Sequence, residues 1–413
     1  MELAILAKCL LLGLAILWIQ IHGNKGCFET ERLALLDFKE FVGSNGLDVD
    51  YLLSSWVDNS MSDCCKWERV MCNSTTGHVT ELSLNNTRQY DIESISFYDD
   101  ENIWFIKFSM FQQLKELKSL NLSYNRIGGF IDDTNFETLS ELKKLEVLDL
   151  SANYFNNSIL SPLSNLTSLK TLILSINIME GSFPIQDLVK LKNLTVLSLR
   201  GNNLNGTPPL QKLSNLKNLK SLDVSGNGFT STLPFQDFKS NFSKVSKLKY
   251  LDLSDNYFNN GILSFSSIFP SVETLDLSDN NLEGPLSYKD LVKLKNLTVL
   301  NIWGNNLNGT LPLQSFKRLE ELDISYNRFN SSILLSLDAL PSFKVLKFCC
   351  NDVEGSFPIQ ELSKLKNLES LDVSWNGFNG TLPFQGLCGL KGLQELDLRY
   401  NEFGVVFLNA LTI

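Results

Sequence analysis

Histidine is almost missing from this chain of 413 residues: His22 and His78 are the only two. That scarcity excludes most catalysis built on an imidazole base and any metal site built from several histidines. Positive charge is also short. Lys and Arg number 36 against 46 Asp and Glu, a net charge of −10, so the chain has no basic footprint for nucleic acid. Beyond residue 23 no apolar run approaches the ~18 residues that a membrane-spanning helix needs. No nucleophile–base pair, phosphate loop or metal-ligand cluster stands out, so an enzyme is not expected and neither is a cofactor.

What is present begins with a leader. Lys8 precedes the apolar run 9-CLLLGLAILWIQI-21, and Gly23 offers a small residue before Asn24. Residues 1–23 read as a secretory signal peptide, with an uncleaved signal anchor as the alternative. Cysteine usage agrees with an oxidising compartment. Of eight cysteines, Cys9 lies in the leader. Cys27, Cys64, Cys65 and Cys72 cluster near the N-terminus, and Cys349, Cys350 and Cys388 follow much later. Four clustered cysteines allow three pairings. The remaining odd number leaves at least one thiol free.

From residue 79 onward one phrase recurs, L-x-x-L-x-L-x-x-N. Its asparagines are Asn125, Asn153, Asn177, Asn202, Asn227, Asn256, Asn280, Asn305, Asn327, Asn351, Asn376 and Asn401. In a degenerate first copy, 79-VTELSLNNT-87, Thr87 takes the asparagine's place, which makes thirteen turns. Leucine alternating with polar residues predicts a half-buried strand. One turn cannot bury its leucines alone, so the turns must stack as a parallel sheet over a shared core. Each asparagine is expected to be structural, its amide satisfying backbone groups of neighbouring turns. An apolar residue follows two positions later in all twelve turns. Glycine then proline, as in Gly181 and Pro184, predict a second short strand on the flank. The identical copies 187-DLVKLKNLTVL-197 and 290-DLVKLKNLTVL-300 show turns duplicated as blocks, which lengthens a surface without disturbing the fold.

These residues carry a resemblance. L-x-x-L-x-L-S-x-N-x-[LF]-x-G-x-[LF]-P resembles the plant-type leucine-rich repeat of cell-surface receptors. The segments 26-GCFETERLALLDFKEF-41 and 63-DCCKWERVMC-72 resemble the N-terminal cap of those receptors. The kinase-less receptor-like proteins are the nearest shape. The resemblance covers residue 26 to the end. It implies an α/β solenoid: a right-handed superhelix with a concave parallel β-sheet and a helical, disulfide-bonded cap. It also implies the pairing Cys27–Cys64 and Cys65–Cys72. The domains expected are the signal peptide at 1–23, the cap at 24–78 and the repeats at 79–413, with a long insertion at 88–113. The cap helix is expected over 29–42, with Leu35, Phe38 and Val42 on one face. Arg69 departs from the family, which usually has glycine there. The insertion is expected as a loop on the convex side. A complete relative would continue into further repeats, a cysteine cap and one membrane helix, so the chain is expected to be either the outer part of such a protein or a secreted decoy.

On the concave face the exposed positions lie six, four and two residues before each asparagine, with the residue just before it at the rim. Aspartate recurs four before, at Asp149, Asp223, Asp252, Asp276, Asp323, Asp372 and Asp397. Such a row could bind a cationic peptide or could be the default L-D-L-S of the family, and the default is favoured. Residues that break the default carry more information. Trp303, Tyr326, Lys347, Trp375 and Tyr400 fall in neighbouring turns and form the candidate contact patch. The pair Cys349–Cys350 is not expected to bridge. Glycosylation candidates are Asn73, Asn85, Asn121, Asn156, Asn165, Asn193, Asn205, Asn241, Asn296, Asn308, Asn330 and Asn379.

The resemblance implies an extracellular recognition module for a peptide, glycan or pathogen-derived ligand. It would act through a co-receptor kinase in defence or development, and would reach the cell surface through a missing C-terminal membrane segment. As given, it would be extracellular. The alternative is a secreted inhibitor of cell-wall hydrolases of the polygalacturonase-inhibiting type.

Overall fold

The computed structural model describes residues 27–59, 62–88, 90–91, 96–97, 102–131, 141–213, 215–231, 247–286, 291–340, 342–382 and 384–404. The leader at 1–23 and the sequon at Asn241 lie outside the described residues. The chain divides into two units, 1–172 and 173–413.

In the first unit the cap contributes β1 (Val70–Cys72), antiparallel to β2 (Val79–Ser83). From β2 onward the pairing is parallel, through β3 (Ser119–Asn121) to β4 (Val147–Asp149). Strand β5 (Thr171–Ile173) lies at the division. The second unit holds β6 (Val196–Ser198), β7 (Ser221–Asp223), β8 (Tyr250–Asp252), β9 (Thr274–Asp276) and β10 (Val299–Asn301). Then follow β11 (Glu321–Asp323), β12 (Val345–Lys347), β13 (Ser370–Asp372) and β14 (Glu395–Asp397).

The register of the second unit puts leucine against leucine: Leu222, Leu251, Leu275, Leu300, Leu322, Leu346 and Leu371 are successive partners. All are buried. A parallel ladder sets strands about 4.8 Å apart, so each leucine packs between its equivalents in the turns on either side. Burying one such side chain contributes about 1.5–3 kcal/mol, a gain an isolated turn could not make. The second strand forms as expected. Glu180–Ser182, Asn203–Gly206 and Gly228–Phe229 pair in parallel on the flank, and Glu354–Ser356, Gly377–Gly380 and Glu402–Phe403 do the same further on. Gly181 and Gly206 enter that flank at φ +73° and +75°, which only glycine adopts without strain. Short helical turns such as Ile185–Leu188 and Ser331–Ala339 return the chain to the next strand.

The asparagines tie each turn to the one before. Asn376 Nδ2 donates to the Phe348 carbonyl of the preceding turn at 2.9 Å and to Ser374 of its own at 3.0 Å. Its Oδ1 accepts from the Asn351 N–H at 3.2 Å.

The residue just before each asparagine has a conformation the repeat phrase does not announce. Tyr124, Ala152, Ile176, Asp255, Asp279, Tyr326, Cys350, Trp375 and Tyr400 all have φ between +47° and +57°. Gly201, Gly226 and Gly304 share the place, at φ +61° to +65°. Where a next turn follows, it holds this conformation: the N–H donates to the carbonyl two before the next asparagine, as Ile176 does to Arg200 at 2.6 Å and Trp375 to Arg399 at 3.0 Å. A left-handed conformation costs an L-residue about 1–2 kcal/mol, and a β-branched residue there is a true outlier. Ile176 is also 53% exposed, so it recovers little by burial. Ile176→Asn is therefore expected to stabilise by about 1 kcal/mol, read as a raised urea midpoint with an unchanged slope. A lowered midpoint would mean that Ile176 packing outweighs its backbone strain.

The cap is held from several directions. Helix α1 (Glu29–Ser44) buries Leu35, Phe38 and Val42, as expected. Glu31 reaches from it into the first repeat strand, where its carboxylate accepts from the Val79 N–H at 3.1 Å and meets His78 Nδ1 at 3.0 Å. Arg69 stands at φ +66°, which explains why glycine is usual there. Its guanidinium is fixed instead by the Asn85 and Ser83 carbonyls.

The insertion departs from expectation. Residues 104–111 are not a loop. Trp104–Lys107 pairs in parallel with Ile127–Ile131, and a helical turn follows at Phe108–Phe111. Trp104, Ile106, Phe108 and Phe111 are buried, and Phe111 and Trp104 pack against Phe38 and Phe41 of α1. Apolar residues alternating from Trp104 to Phe108 drive this part of the insertion beneath the cap helix.

Candidate functional site

The aspartate row is explained by local geometry. In β4, β7, β8, β9 and β13 one carboxylate oxygen accepts both the N–H and the hydroxyl of the serine two residues on. At Asp252 the distances are 3.0 and 2.6 Å, and at Asp372 they are 2.9 and 2.7 Å. The carboxylate caps the strand exit, so L-D-L-S is first a structural device. Asn121 does the same for Ser123 with its amide oxygen, and the Asn301 amide oxygen accepts the Trp303 N–H alone.

Lys347 cannot, because an ammonium has no acceptor. The N–H of Cys349, left without its cap, is taken by the Ser325 hydroxyl of the preceding turn at 3.1 Å. The Lys347 ammonium leans to Asp323 at 3.7 Å.

The second oxygens face sideways. Asp252 Oδ2 accepts from the Tyr250 hydroxyl at 3.0 Å, and Asp276 Oδ2 from Asn301 Nδ2 at 2.8 Å. Burial pushes the Asp276 carboxyl above its usual range, and neighbouring Asp252 adds to the rise. Burial also raises Asp279, helped by Asp255 and Asp276. The Tyr250 phenol is held up by burial and then by Asp252. Negative charge is thus concentrated around β8 and β9.

All five candidate contact residues lie on this face or its rim, in two pairs with one residue between. Trp303 packs on Tyr326, ring centroids 5.2 Å apart. Trp375 stacks on Tyr400 at 4.0 Å and 20°. Lys347 lies between, already paired with Asp323. Tyr326, Trp375 and Tyr400 are 52%, 57% and 62% exposed, and each holds the strained left-handed conformation. Arg399 clasps Asp397 with both Nε and a terminal nitrogen. The two cations of this half, Lys347 and Arg399, are therefore paired in place, and its most exposed rim side chains are aromatic.

Sequence reasoning missed Asp255 and Asp279, exposed at the same rim. The signal was there: three glycines at the equivalent place announce a conformation that aspartate tolerates and tryptophan does not.

The remaining candidates sort simply. The pairs Cys27–Cys64 and Cys65–Cys72 are bonded. Cys349, Cys350 and Cys388 are free thiols. Burial pushes the Cys349 thiol up to about 12, so it stays protonated at neutral pH and is a poor nucleophile. The Tyr326 hydroxyl is hydrogen-bonded to Cys350, which raises the phenol. Among the sequons, Asn73, Asn156, Asn165, Asn193, Asn205, Asn308, Asn330 and Asn379 are exposed, and Asn85, Asn121 and Asn296 are half-buried.

One strand per turn, an asparagine ladder and a disulfide-pinned helical cap define a repeat protein that offers a long, one-sided surface. The chain belongs to the leucine-rich-repeat family. A leucine rich repeat N-terminal domain matches residues 28–73, and leucine-rich-repeat units match eight segments between 116 and 340 and another at 364–381. Among its relatives is Receptor like protein 21 of Arabidopsis thaliana, 41% identical over 42% of this chain and 17% of that one. Receptor-like protein 13 of the same plant is 36% identical over 67% of this chain and 23% of its own length. The chain thus spans about a fifth of those relatives. Solved structures of the same fold include the plant peptide hormone receptor RGFR1 in complex with RGF2 (TM-score 0.59, 31% identity, 74% of this chain and 47% of that one). Another is PEPR1 with AtPEP1 (TM-score 0.57, 27% identity, 91% and 52%).

Proposed function

We propose that this chain is the extracellular recognition part of a receptor-like protein, that it binds a peptide on the concave face of residues 173–413, and that it acts through a partner receptor kinase. The observation that carries this reading is the set of exposed aromatics at rim positions where they cost stability. Strain kept where glycine would remove it is what a recognition surface shows. The names of the relatives support a receptor, and one solved neighbour is a plant peptide hormone receptor in complex with RGF2. The paired cysteines of the cap fit the secretory pathway and the cell surface. Among the described residues no helix is long and apolar enough to cross a membrane.

The test uses the full chain, tagged and expressed in plant cells. Peptides retained from extracellular fluid would be eluted and identified by mass spectrometry, beside a Tyr326→Ala/Trp375→Ala/Tyr400→Ala variant. Peptides held by the parent and lost by the variant are the expected result. The same peptides on both proteins, or none on either, would overturn the reading.

A further inference from the structure

The rim before the asparagines changes character along the second unit. At β8 and β9 it carries Asp255 and Asp279, on adjacent turns and both exposed. Like charges one strand spacing apart repel, and the two side chains diverge. Asp279 lies across Gly304, its Oδ1 2.5 Å from where a Cβ would stand, and Asp255 leans the other way, 3.6 Å from the equivalent point on Gly226. Among the described residues no Lys or Arg pairs with either carboxylate. Further along, from Trp303 to Tyr400, the rim is aromatic, and its two cations are already paired with Asp323 and Asp397. Tyr400 covers one face of Trp375, yet Trp375 stays 57% exposed, so its opposite ring face is open to solvent.

We propose that this face is bipartite: Asp255 and Asp279 receive a cationic side chain, Trp375 and its neighbours receive an aromatic or apolar one, and a single extended peptide supplies both. The inference rests on the peptide reading above and names the kind of peptide. The uncompensated carboxylates select the cation by charge complementarity, and Trp303 beside them adds a ring face for it. Four to six strand spacings separate the two halves, about 19–29 Å, which an extended chain covers in roughly six to nine residues. Asp255 and Asp279 repel an acidic peptide from the first half, and the cations of the second are already paired.

The test is fluorescence anisotropy on the full chain. The probes are labelled peptides with two arginines at one end, two tryptophans at the other, and Gly/Ser spacers of about two to twelve residues. The affinity is expected to peak at spacers of about five to eight residues and to fall with added salt. Asp255→Asn/Asp279→Asn is expected to weaken the best probe about tenfold or more and to remove most of its salt dependence. Asparagine suits the left-handed conformation, so this variant keeps its fold. Trp375→Asn is expected to weaken binding by a similar factor while thermal stability holds or rises, which a merely structural tryptophan would not do. An affinity independent of spacer length, or untouched by both variants, overturns the bipartite face. If the parent still retains natural peptides that the triple alanine variant loses in the elution experiment, the peptide reading survives that failure. If no peptide is retained in either experiment, both fall.

Discussion

Asn256→Ala is expected to lower the unfolding free energy by about 1–3 kcal/mol, because it orphans a buried backbone N–H of the preceding turn and cuts the side-chain bonds that join two turns. Asn256 is buried. Its Nδ2 donates to the Val224 carbonyl of the preceding turn at 3.1 Å and to Ser254 at 2.9 Å, and its Oδ1 accepts from Phe229 N–H at 3.0 Å. Alanine leaves the buried Phe229 N–H without its partner and strips one of two side-chain bonds from the Val224 carbonyl, which keeps Asn227 Nδ2 at 3.1 Å. An orphaned buried donor costs about 1–3 kcal/mol, and the leucines around it cannot compensate. The control is Asn281→Ala, one residue past the ladder position and exposed. It should stay within about 0.5 kcal/mol. Urea unfolding of the two variants decides the matter, and equal losses would refute a structural role for the ladder.

The second large effect belongs to the cap. Trp56→Ala is expected to cost about 3–5 kcal/mol, as large aromatic deletions from a packed core do. Trp56 is completely buried, stacked on Trp67 at 5.5 Å and against Phe38 of α1 at 6.4 Å. Its Nε1 donates to the Glu68 carbonyl at 2.9 Å, so truncation opens a cavity and orphans an acceptor together. The disulfides would still tether the chain, since Trp56 lies within the Cys27–Cys64 loop. The damage should therefore be local. Hydrogen exchange of the amides from Glu29 to Ser44 should quicken, while the amides of β11 to β13 keep their protection. Unchanged exchange in α1 would show that the disulfides alone hold the cap.

Much of the architecture was legible before any coordinates. The period-two leucines predicted the strands, the asparagines predicted the ladder, and glycine with proline predicted the flank strand, because each rests on a contact repeated in every turn. The apolar face of α1 was readable for the same reason, as Leu35, Phe38 and Val42 share one side of a helix. The insertion was misjudged at residues 104–111, where burial depends on a partner, Phe38 of α1, distant in sequence. The aspartates could be read as recognition or as fold, and only the bond from Ser254 to Asp252 and its equivalents showed that one oxygen of each is already committed.

The sequence by itself determined the repeat, the core and the side of the sheet that faces water, since these follow from residue type and spacing. Three glycines hint at a left-handed rim, but only tertiary structure showed that Tyr326, Trp375 and Tyr400 share it. The N–H of Trp375 must reach the Arg399 carbonyl of the next turn, and that demand sets φ whatever the side chain. It also decided which charges are spent and which remain: Lys347 and Arg399 meet Asp323 and Asp397, while Asp279 meets the like charges of Asp255 and Asp276. A residue's type announces its charge, but only its neighbours across the sheet decide whether that charge is left for a partner.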